Sequence, residues 1–466
     1  GKGSIRREVD QMSGDKLFEN KQGKFEDVTS QSGIFQGKIG YGLGLSIGDV
    51  TNDGYPDIYV GNDFFENDYL YINQKDNTFK EVISKDKTAL GHTSHFSMGN
   101  AISDLNNDSK MDIISLDMLP ENLKTYKTSG LEFPYQTYQY YLKNGYAPQF
   151  MQNTLHYNNG NETFTDVSDL LIDAGDISVA GFIATWTDYD RDGDLDGYLL
   201  TNRIPPGEEL KDVRFRLVKG PEGEPVILPE EMQQYAGLIK SPSGYKQIAS
   251  GQFDRLYRND GGKFVEVGKE AGVRESEYGL SATWWDYDAD GWPDLYVAND
   301  FYGADHLYRN KGDGTFEDVA PRALPHTPWF SMGSDVADIN NDGLFDYMAS
   351  DMAGSDHYKE KMSMGNMTGK DSDSWFLNWP IPAQYMRNAV YLNTGTGRFN
   401  EIAFQTGLAA TDWTWAIKFG DLDCDGREDV FISTGMSRDW FNSDLRNQEE
   451  ALILSKGSAA GRAFWN

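Results

Sequence analysis

Short apolar runs that alternate with polar residues, each closed by a cluster of Asp, Asn or Gly, recur along this chain from Leu17 to Gly435. One type follows an Asp-rich loop: DIYV from Asp57, DLYV from Asp294 and DVFI from Asp429. The other reads Leu/Val-aromatic-x-Asn, a polar turn, then Phe. Its copies are LFENKQGKFEDV from Leu17, LYINQKDNTFKEV from Leu70, LHYNNGNETFTDV from Leu155, LYRNDGGKFVEV from Leu256, LYRNKGDGTFEDV from Leu307 and VYLNTGTGRFNEI from Val390. Each copy predicts a hairpin of two short strands around a Gly/Asn/Asp turn. No long window carries a helical period. The pattern therefore predicts an all-β chain of many short strands.

The loops before the first type of strand share one spacing, Asp-x-(Asp/Asn/Thr)-x-Asp-(Gly/Ser)-x-x-Asp, in six copies. A hard cation such as Ca²⁺ takes six to eight oxygen ligands. A nine-residue loop supplies them from side chains at positions 1, 3, 5 and 9 and from the backbone carbonyl at position 7. The predicted ligands are Asp49, Thr51, Asp53, Tyr55 and Asp57 in the first loop, and Asp104, Asn106, Asp108, Lys110 and Asp112 in the second. The third has Asp188, Asp190, Asp192, Asp194 and Asp196; the fourth has Asp286, Asp288, Asp290, Trp292 and Asp294. The fifth has Asp338, Asn340, Asp342, Leu344 and Asp346; the sixth has Asp421, Asp423, Asp425, Arg427 and Asp429. Asp190, Asp288 and Asp423 add a carboxylate at position 3, so those three loops are expected to bind most tightly, and the Thr51 loop least. Ser109 stands where the other loops have Gly, which predicts a strained turn. An EF-hand is excluded, because its position 12 is a Glu flanked by helices. Here that position is Val60, Leu199 or Val297 within a strand pattern.

A longer period overlies the repeats. HTSHFSMGNAISDLNND from His92 is echoed by HTPWFSMGSDVADINND from His326, and YVGNDF from Tyr59 by YVANDF from Tyr296. The chain reads as two three-blade units of a β-propeller, a closed radial repeat. Six blades are countable, and seven remain open. The chain opens on a hairpin and ends its repeats on a loop pair, so the last blade is expected to be completed by the first hairpin. Residues 1–436 form the expected propeller, and 437–466 a tail that is partly helical or extended. Insertions at 119–151, 203–253 and 353–385 are expected on the face opposite the Asp loops, where a rigid scaffold usually carries its function. They hold aromatic residues suited to sugar rings or partner side chains, among them Tyr135, Tyr138, Trp375 and Trp379. His92, His326, Asp63, Asp300, Asp117 and Asp351 stand at equivalent strand ends. They are read either as a ring of ligand groups around the central channel or as hydrogen-bonding residues repeated by duplication.

Composition sharpens this. Lys and Arg total 42 against 73 Asp and Glu, a formal charge of −31. That excess argues against nucleic acid and anionic lipid, which need clustered basic residues, and for bound cations or simple solubility. Cys424 is the single cysteine, so intramolecular disulfides do no stapling. No apolar run approaches the ~18 residues of a membrane-spanning helix.

The loops and the Leu-Tyr-x-Asn hairpins resemble the FG-GAP/VCBS repeats of integrin α-subunit propellers and of bacterial surface or secreted proteins. The resemblance implies a β-propeller with extracytoplasmic Ca²⁺ sites, about six in number. It also implies a role in adhesion, recognition or scaffolding toward a glycan or protein at the cell surface, and it carries over no catalytic residue. Two other readings stand beside this one. A Ca²⁺-dependent polysaccharide lyase would use His92 or His326 as base. A structural subunit of a surface assembly would pair with copies of itself or with other chains.

Overall fold

The computed structural model describes residues 9, 14–63, 66–83, 89–106, 108–117, 135–160, 162–168, 181–201, 216–219, 225–228, 236–241, 244–249, 253–261, 264–300, 303–355, 357–362, 382–434 and 442–464. Six antiparallel four-stranded sheets follow one another along the chain. In the first blade the strands are Gly42–Gly48, Asp57–Asn62, Tyr69–Asn73 and Phe79–Glu81, from the innermost outwards. The second blade has Ser97–Ser103, Asp112–Asp117, Thr154–Gly160 and Thr163–Asp166. The third has Gly181–Thr187, Asp196–Thr201, Arg255–Asn259 and Phe264–Glu266, and the fourth Gly279–Trp285, Asp294–Asn299, His306–Asn310 and Phe316–Asp318. The fifth has Ser334–Ala337, Asp346–Ala349, Ala389–Asn393 and Phe399–Glu401.

The sixth blade joins two distant parts of the chain. Its inner strands are Thr414–Gly420 and Asp429–Thr434; its outer strands are Lys16–Asn20 and Phe25–Asp27. The seam is antiparallel, with Lys16 opposite Ile432, Leu17 opposite Phe431 and Phe18 opposite Val430. The innermost strands touch in sequence around the ring, and the last touches the first. The fold is a six-bladed β-propeller, closed by the hairpin that the sequence assigned to that task. Six blades, not seven, complete the circle.

Each blade is covered on both faces by its neighbours, which explains why second strands such as that of the first blade bury successive side chains and not alternate ones. Ile58, Tyr59 and Val60 are all fully buried, as are Val430, Phe431 and Ile432. The core consequently lies between blades. Trp285 and Tyr296 of the fourth blade pack with Tyr347 and Tyr391 of the fifth. The Trp285 and Tyr347 rings stack 5.0 Å apart and nearly parallel.

All three insertions leave between the second and third strands, in blades two, three and five, on the face opposite the Asp loops. The described parts of the first include a helix, Tyr135–Lys143. The second contributes two hairpins, Arg216–Lys219 with Pro225–Leu228 and Ala236–Ser241 with Gly244–Ala249. Two short parallel pairs tie the ends of the first and third insertions to the chain entering the blade: Thr93–Ser94 with Gln149–Phe150, and Thr327–Pro328 with Gln384–Tyr385. Past the last blade stand two helices, Ser443–Lys456 and Ser458–Phe464; the Asn442 side chain caps the first by accepting from the Asp444 and Leu445 N–H groups.

Candidate metal centres on the loop face

The Asp at position 1 organises each loop. Asp49 accepts from the Asp53 N–H at 3.0 Å and from the Gly54 N–H at 2.7 Å. Asp286 does the same with Asp290 (3.0 Å) and Gly291 (2.8 Å), and Asp421 with Asp425 and Gly426 (both 2.9 Å). These bonds wind the chain so tightly that positions 4 and 6 turn left-handed. In the fourth loop φ is +59° at Ala289 and +90° at Gly291. Ser109 holds the same turn at φ +66°, so the strain expected there is present.

The winding brings carboxylates together. In three loops, oxygens from positions 1, 3 and 5 lie within 4.8 Å of one another: Asp188, Asp190 and Asp192; Asp286, Asp288 and Asp290; Asp421, Asp423 and Asp425. These are the loops with Asp at position 3. Such all-oxygen, all-anionic groups can hold a metal ion, and a hard cation suits them. The electrostatics agree. Burial and then the neighbouring Asp192 raise the Asp190 carboxyl; burial and then Asp425 raise that of Asp423. In the fourth loop the Arg309 guanidinium lies on the group, 2.5 Å from Asp288 and 2.7 Å from Asp290. Elsewhere position 3 is hydrogen-bonded within its loop. Thr51 donates to Asp49 at 3.2 Å, while Asn106 and Asn340 accept from the position-5 N–H at 3.0 Å.

Position 9 has an attachment of its own. Its carboxylate, expected among the ligands, lies outside the three gathered groups of positions 1, 3 and 5. Both of its oxygens face backbone N–H groups. Asp57 accepts from Val50 (3.0 Å) and Asn73 (2.8 Å), and Asp294 from Tyr287 (3.0 Å) and Asn310 (2.7 Å). Asp112, Asp196 and Asp346 repeat the pair. In the sixth blade Asp429 accepts from the Asn20 N–H at 2.8 Å, across the seam. Burial pushes Asp57 and Asp429 up to about 7, Asp294 up to about 8 and Asp346 to about 6. Position 9 is thus a staple between loop and hairpin.

The Asn of the Leu-Tyr-x-Asn hairpin extends that staple to the preceding blade. Asn73 donates to the Leu422 carbonyl (2.8 Å), Asn158 to Val50 (2.7 Å), Asn310 to Tyr189 and Asn393 to Tyr287 (both 2.8 Å), and Asn20 to Ile339 (3.2 Å). Each acceptor is position 2 of the previous loop. The sequence displayed this Asn in every hairpin; only its partner was hidden.

The opposite face is less uniform. His92 is not at the central channel: its Nε2 lies 2.8 Å from Asp166 at the end of an outer strand, and its ring packs on Phe150 and His156. His326 is held likewise, 2.8 Å from Arg387 and 3.3 Å from Glu401. The parallel pairs at Thr93 and Thr327 carry both histidines outwards. Asp117 accepts from the Ser94 hydroxyl (2.6 Å) and the His95 and Phe96 N–H groups (both 3.0 Å). Asp351 accepts from Trp329 (2.8 Å) and Phe330 (3.1 Å). These two fix the chain entering their blades. Asp63 is buried beside the chain entering the first blade, its N–H donating to the Tyr41 carbonyl. Asp300 is raised to about 7 by burial, with Asp351 adding to it. Tyr135 is 74% exposed, and Tyr138 packs toward Phe150. Trp375 and Trp379 lie outside the described residues.

One series escaped the sequence reading. Asp15, Asp68, Asp254 and Asp305 immediately precede the third strands of four blades, and burial pushes each up to about 7. Asp68 and Asp254 accept from the Tyr59 and Tyr198 hydroxyls at 2.6 and 2.9 Å. Blades two and five use Asn153 and Asn388 at this place. The signal was Asp or Asn two residues before the Leu or Val of each hairpin.

The FG-GAP-like repeat family matches the chain at residues 49–115, 286–349 and 381–432. No curated protein matches it by sequence. Among solved structures, it is similar to an Agrocybe aegerita lectin described for specific recognition of non-reducing terminal N-acetylglucosamine. The identity is 13% over 86% of this chain and 94% of the lectin, with a TM-score of 0.36. It is also similar to Trypanosoma rangeli sialidase in complex with sialic acid, at 10% identity and a TM-score of 0.31, covering 96% of this chain and 62% of the sialidase. Likenesses this distant carry no functional argument.

Proposed function

This chain is an FG-GAP-like repeat β-propeller protein, and from that premise we propose that it is a calcium-stapled extracytoplasmic binding module that presents its insertion face to a glycan or protein. Calcium bound at positions 1, 3 and 5 of the Asp loops, with the position-7 carbonyl, stiffens one end of the propeller. When bound, the ion supplies charge neutralisation to carboxylates that otherwise repel. The chain's own position-9 and hairpin Asn staples then transmit that rigidity to the neighbouring blades.

The observation that carries the binding role is the exposed aromatic surface of the insertions. Tyr135 is 74% exposed, Tyr140 43%, Phe150 42% and Tyr385 48%, all on the face away from the loops. Flat rings held by helix and strand pairs suit sugar faces or partner side chains. The test is a glycan array and a panel of purified cell-surface proteins, probed with the full chain in calcium. Binding should appear and fall about 10-fold in Tyr135→Ala or Tyr385→Ala, on the scale of one aromatic contact. Binding that both variants retain in full would remove the insertion face from the reading, and a chain that binds nothing would end it.

A further inference from the structure

The seam between blades three and four holds a second kind of polar cluster. Glu275 and Glu277 lie in the connection that leaves the outer strand of blade three for the inner strand of blade four. His306 opens the third strand of blade four, and Asp318 closes its outer strand. One ligand atom from each of Glu275, Glu277 and His306 falls within 4.8 Å of the other two. The cluster is on the face opposite the Asp loops, and its members come from well-separated parts of the sequence.

Three observations point to a cation site. The first is orientation. His306 Nδ1 lies 3.0 Å from Asp318 Oδ2, and Asp318 is itself anchored by the Ala320 N–H at 3.0 Å. This contact turns Nε2 toward the glutamates, 3.9 Å from Glu277 Oε2. There Nε2 is buried and makes no hydrogen bond among the described residues. A carboxylate on one imidazole nitrogen, with the other nitrogen facing further oxygen donors, is how proteins orient histidine toward a metal.

The second is enclosure. Tyr308 is 1% exposed, its ring stacks against His306 at 5.2 Å, and its hydroxyl lies beside the Glu275 carboxylate, so ring and hydroxyl together fix the imidazole against that carboxylate.

The third is charge. Three carboxylates face one imidazole, and no Lys or Arg pairs with Glu275 or Glu277 among the described residues. The equivalent seam between blades five and six solves the same problem internally, with Lys16 and Lys359 on Asp412 at 3.1 and 2.7 Å.

We propose that Glu275, Glu277 and His306 form a mixed nitrogen–oxygen site for a first-row divalent transition ion such as Zn²⁺, separate in place and chemistry from the all-oxygen Asp loops. An imidazole donor favours such an ion over calcium. Ligand atoms around a tetrahedral Zn²⁺ stand about 3.3 Å apart, so small side-chain rotations close the present group around the ion. The Glu277 side chain is 27% exposed and that of His306 18%, so an ion reaches the site from solvent. Glu275, Glu277 and His306 are the ligands; Asp318 is a positioning residue.

The experiment uses the full chain with excess calcium, so that the Asp loops are satisfied. Co²⁺ is added and followed by its visible absorption, then displaced with Zn²⁺ and followed by calorimetry. One equivalent of Co²⁺ should bind and be displaced by one equivalent of Zn²⁺. Affinity should fall at least ~10-fold in Glu277→Gln and His306→Gln, the size of loss that ligand changes produce. Asp318→Asn should weaken binding less and shift the Co²⁺ spectrum. Asp288→Ala, in an Asp loop, should leave Co²⁺ binding unchanged. The proposal is overturned if the calcium-saturated chain binds no Co²⁺ or Zn²⁺, if Glu277→Gln binds as the parent does, or if Asp288→Ala abolishes binding. Should His306→Gln fail to fold, the ring signals of His306 in the parent chain decide: they shift on Zn²⁺ addition, or the site is refuted.

Discussion

At the loop end of the propeller, Asp49 and its counterparts accept the same pair of backbone N–H groups, and the ninth-position carboxylates repeat one bond to the third strand. At the opposite end, the residue that opens the third strand is Tyr69, Thr154, Arg255, His306, Ala389 or Lys16, a different one in every blade. The strand order is the same in every blade. The difference teaches that the repeat constrains side chains only where they hold the ring together. Where blade-to-blade stapling is already supplied, the same backbone position is free to carry individual chemistry.

Removing the metal should break the comparison most severely. Each filled site that binds only the folded chain adds about 2.7 kcal/mol when the ion is at 100 times its dissociation constant. Three triads therefore stand for roughly 8 kcal/mol, and excess EGTA should lower the melting temperature by on the order of 10 °C. A melting curve unmoved by EGTA in calorimetry would show that the loop end needs no cation.

A pair of substitutions separates staple from ligand. Asp294→Ala leaves the Tyr287 and Asn310 N–H groups without an acceptor in a buried setting, and should cost about 2–4 kcal/mol with or without calcium. Asp288→Ala should cost about 1–2 kcal/mol more than Thr51→Ala in calcium, because it takes a charge from a fuller site. That excess should vanish in EGTA. Urea unfolding of the three variants in both conditions checks each point. A calcium-dependent cost for Asp294→Ala would return position 9 to the ligand set.

The smallest effect concerns the buried acids that precede the third strands. Burial lifts the folded-state carboxyl of Asp254 from 3.8 to about 7. Between those values the folded chain keeps a proton that the unfolded chain has released. Stability from this residue is therefore greatest below about pH 4 and declines as pH rises toward 7. Asp254→Asn, the choice already made at Asn153 and Asn388, should flatten that decline. Unfolding midpoints of parent and variant at pH 5 and pH 8 measure it. Parallel pH profiles would show that Asp254 stays charged throughout.

The fold was legible because its signals are local. The spacing of Asp49 to Asp57 and the alternation from Leu70 both lie within a dozen residues, and their sixfold recurrence forces a radial arrangement. The closure at Lys16 followed from counting hairpins against loops. What stayed hidden depends on distance. The second attachment of position 9 is hidden in one dimension, because spacing does not reveal that the Asn73 N–H arrives to meet it. For His92 two readings stood open, a place at the channel or a hydrogen-bonding role; its contact with Asp166, beside the short parallel pair at Thr93, fits the second. Glu275, Glu277 and His306 stand in two segments with no shared pattern, and only the meeting of blades three and four makes them neighbours.

The seam at Lys16 gives the ring a mechanical direction. Lys16 lies opposite Ile432 at one end of an antiparallel pair, so the chain before the one and the chain after the other leave from the same edge of the blade. Tension applied through those two ends opens the pair one rung at a time, as a zipper is drawn, instead of shearing all its hydrogen bonds at once. In the sixth blade a pull on those two segments therefore loads the rungs in series, from the Lys16–Ile432 end inwards.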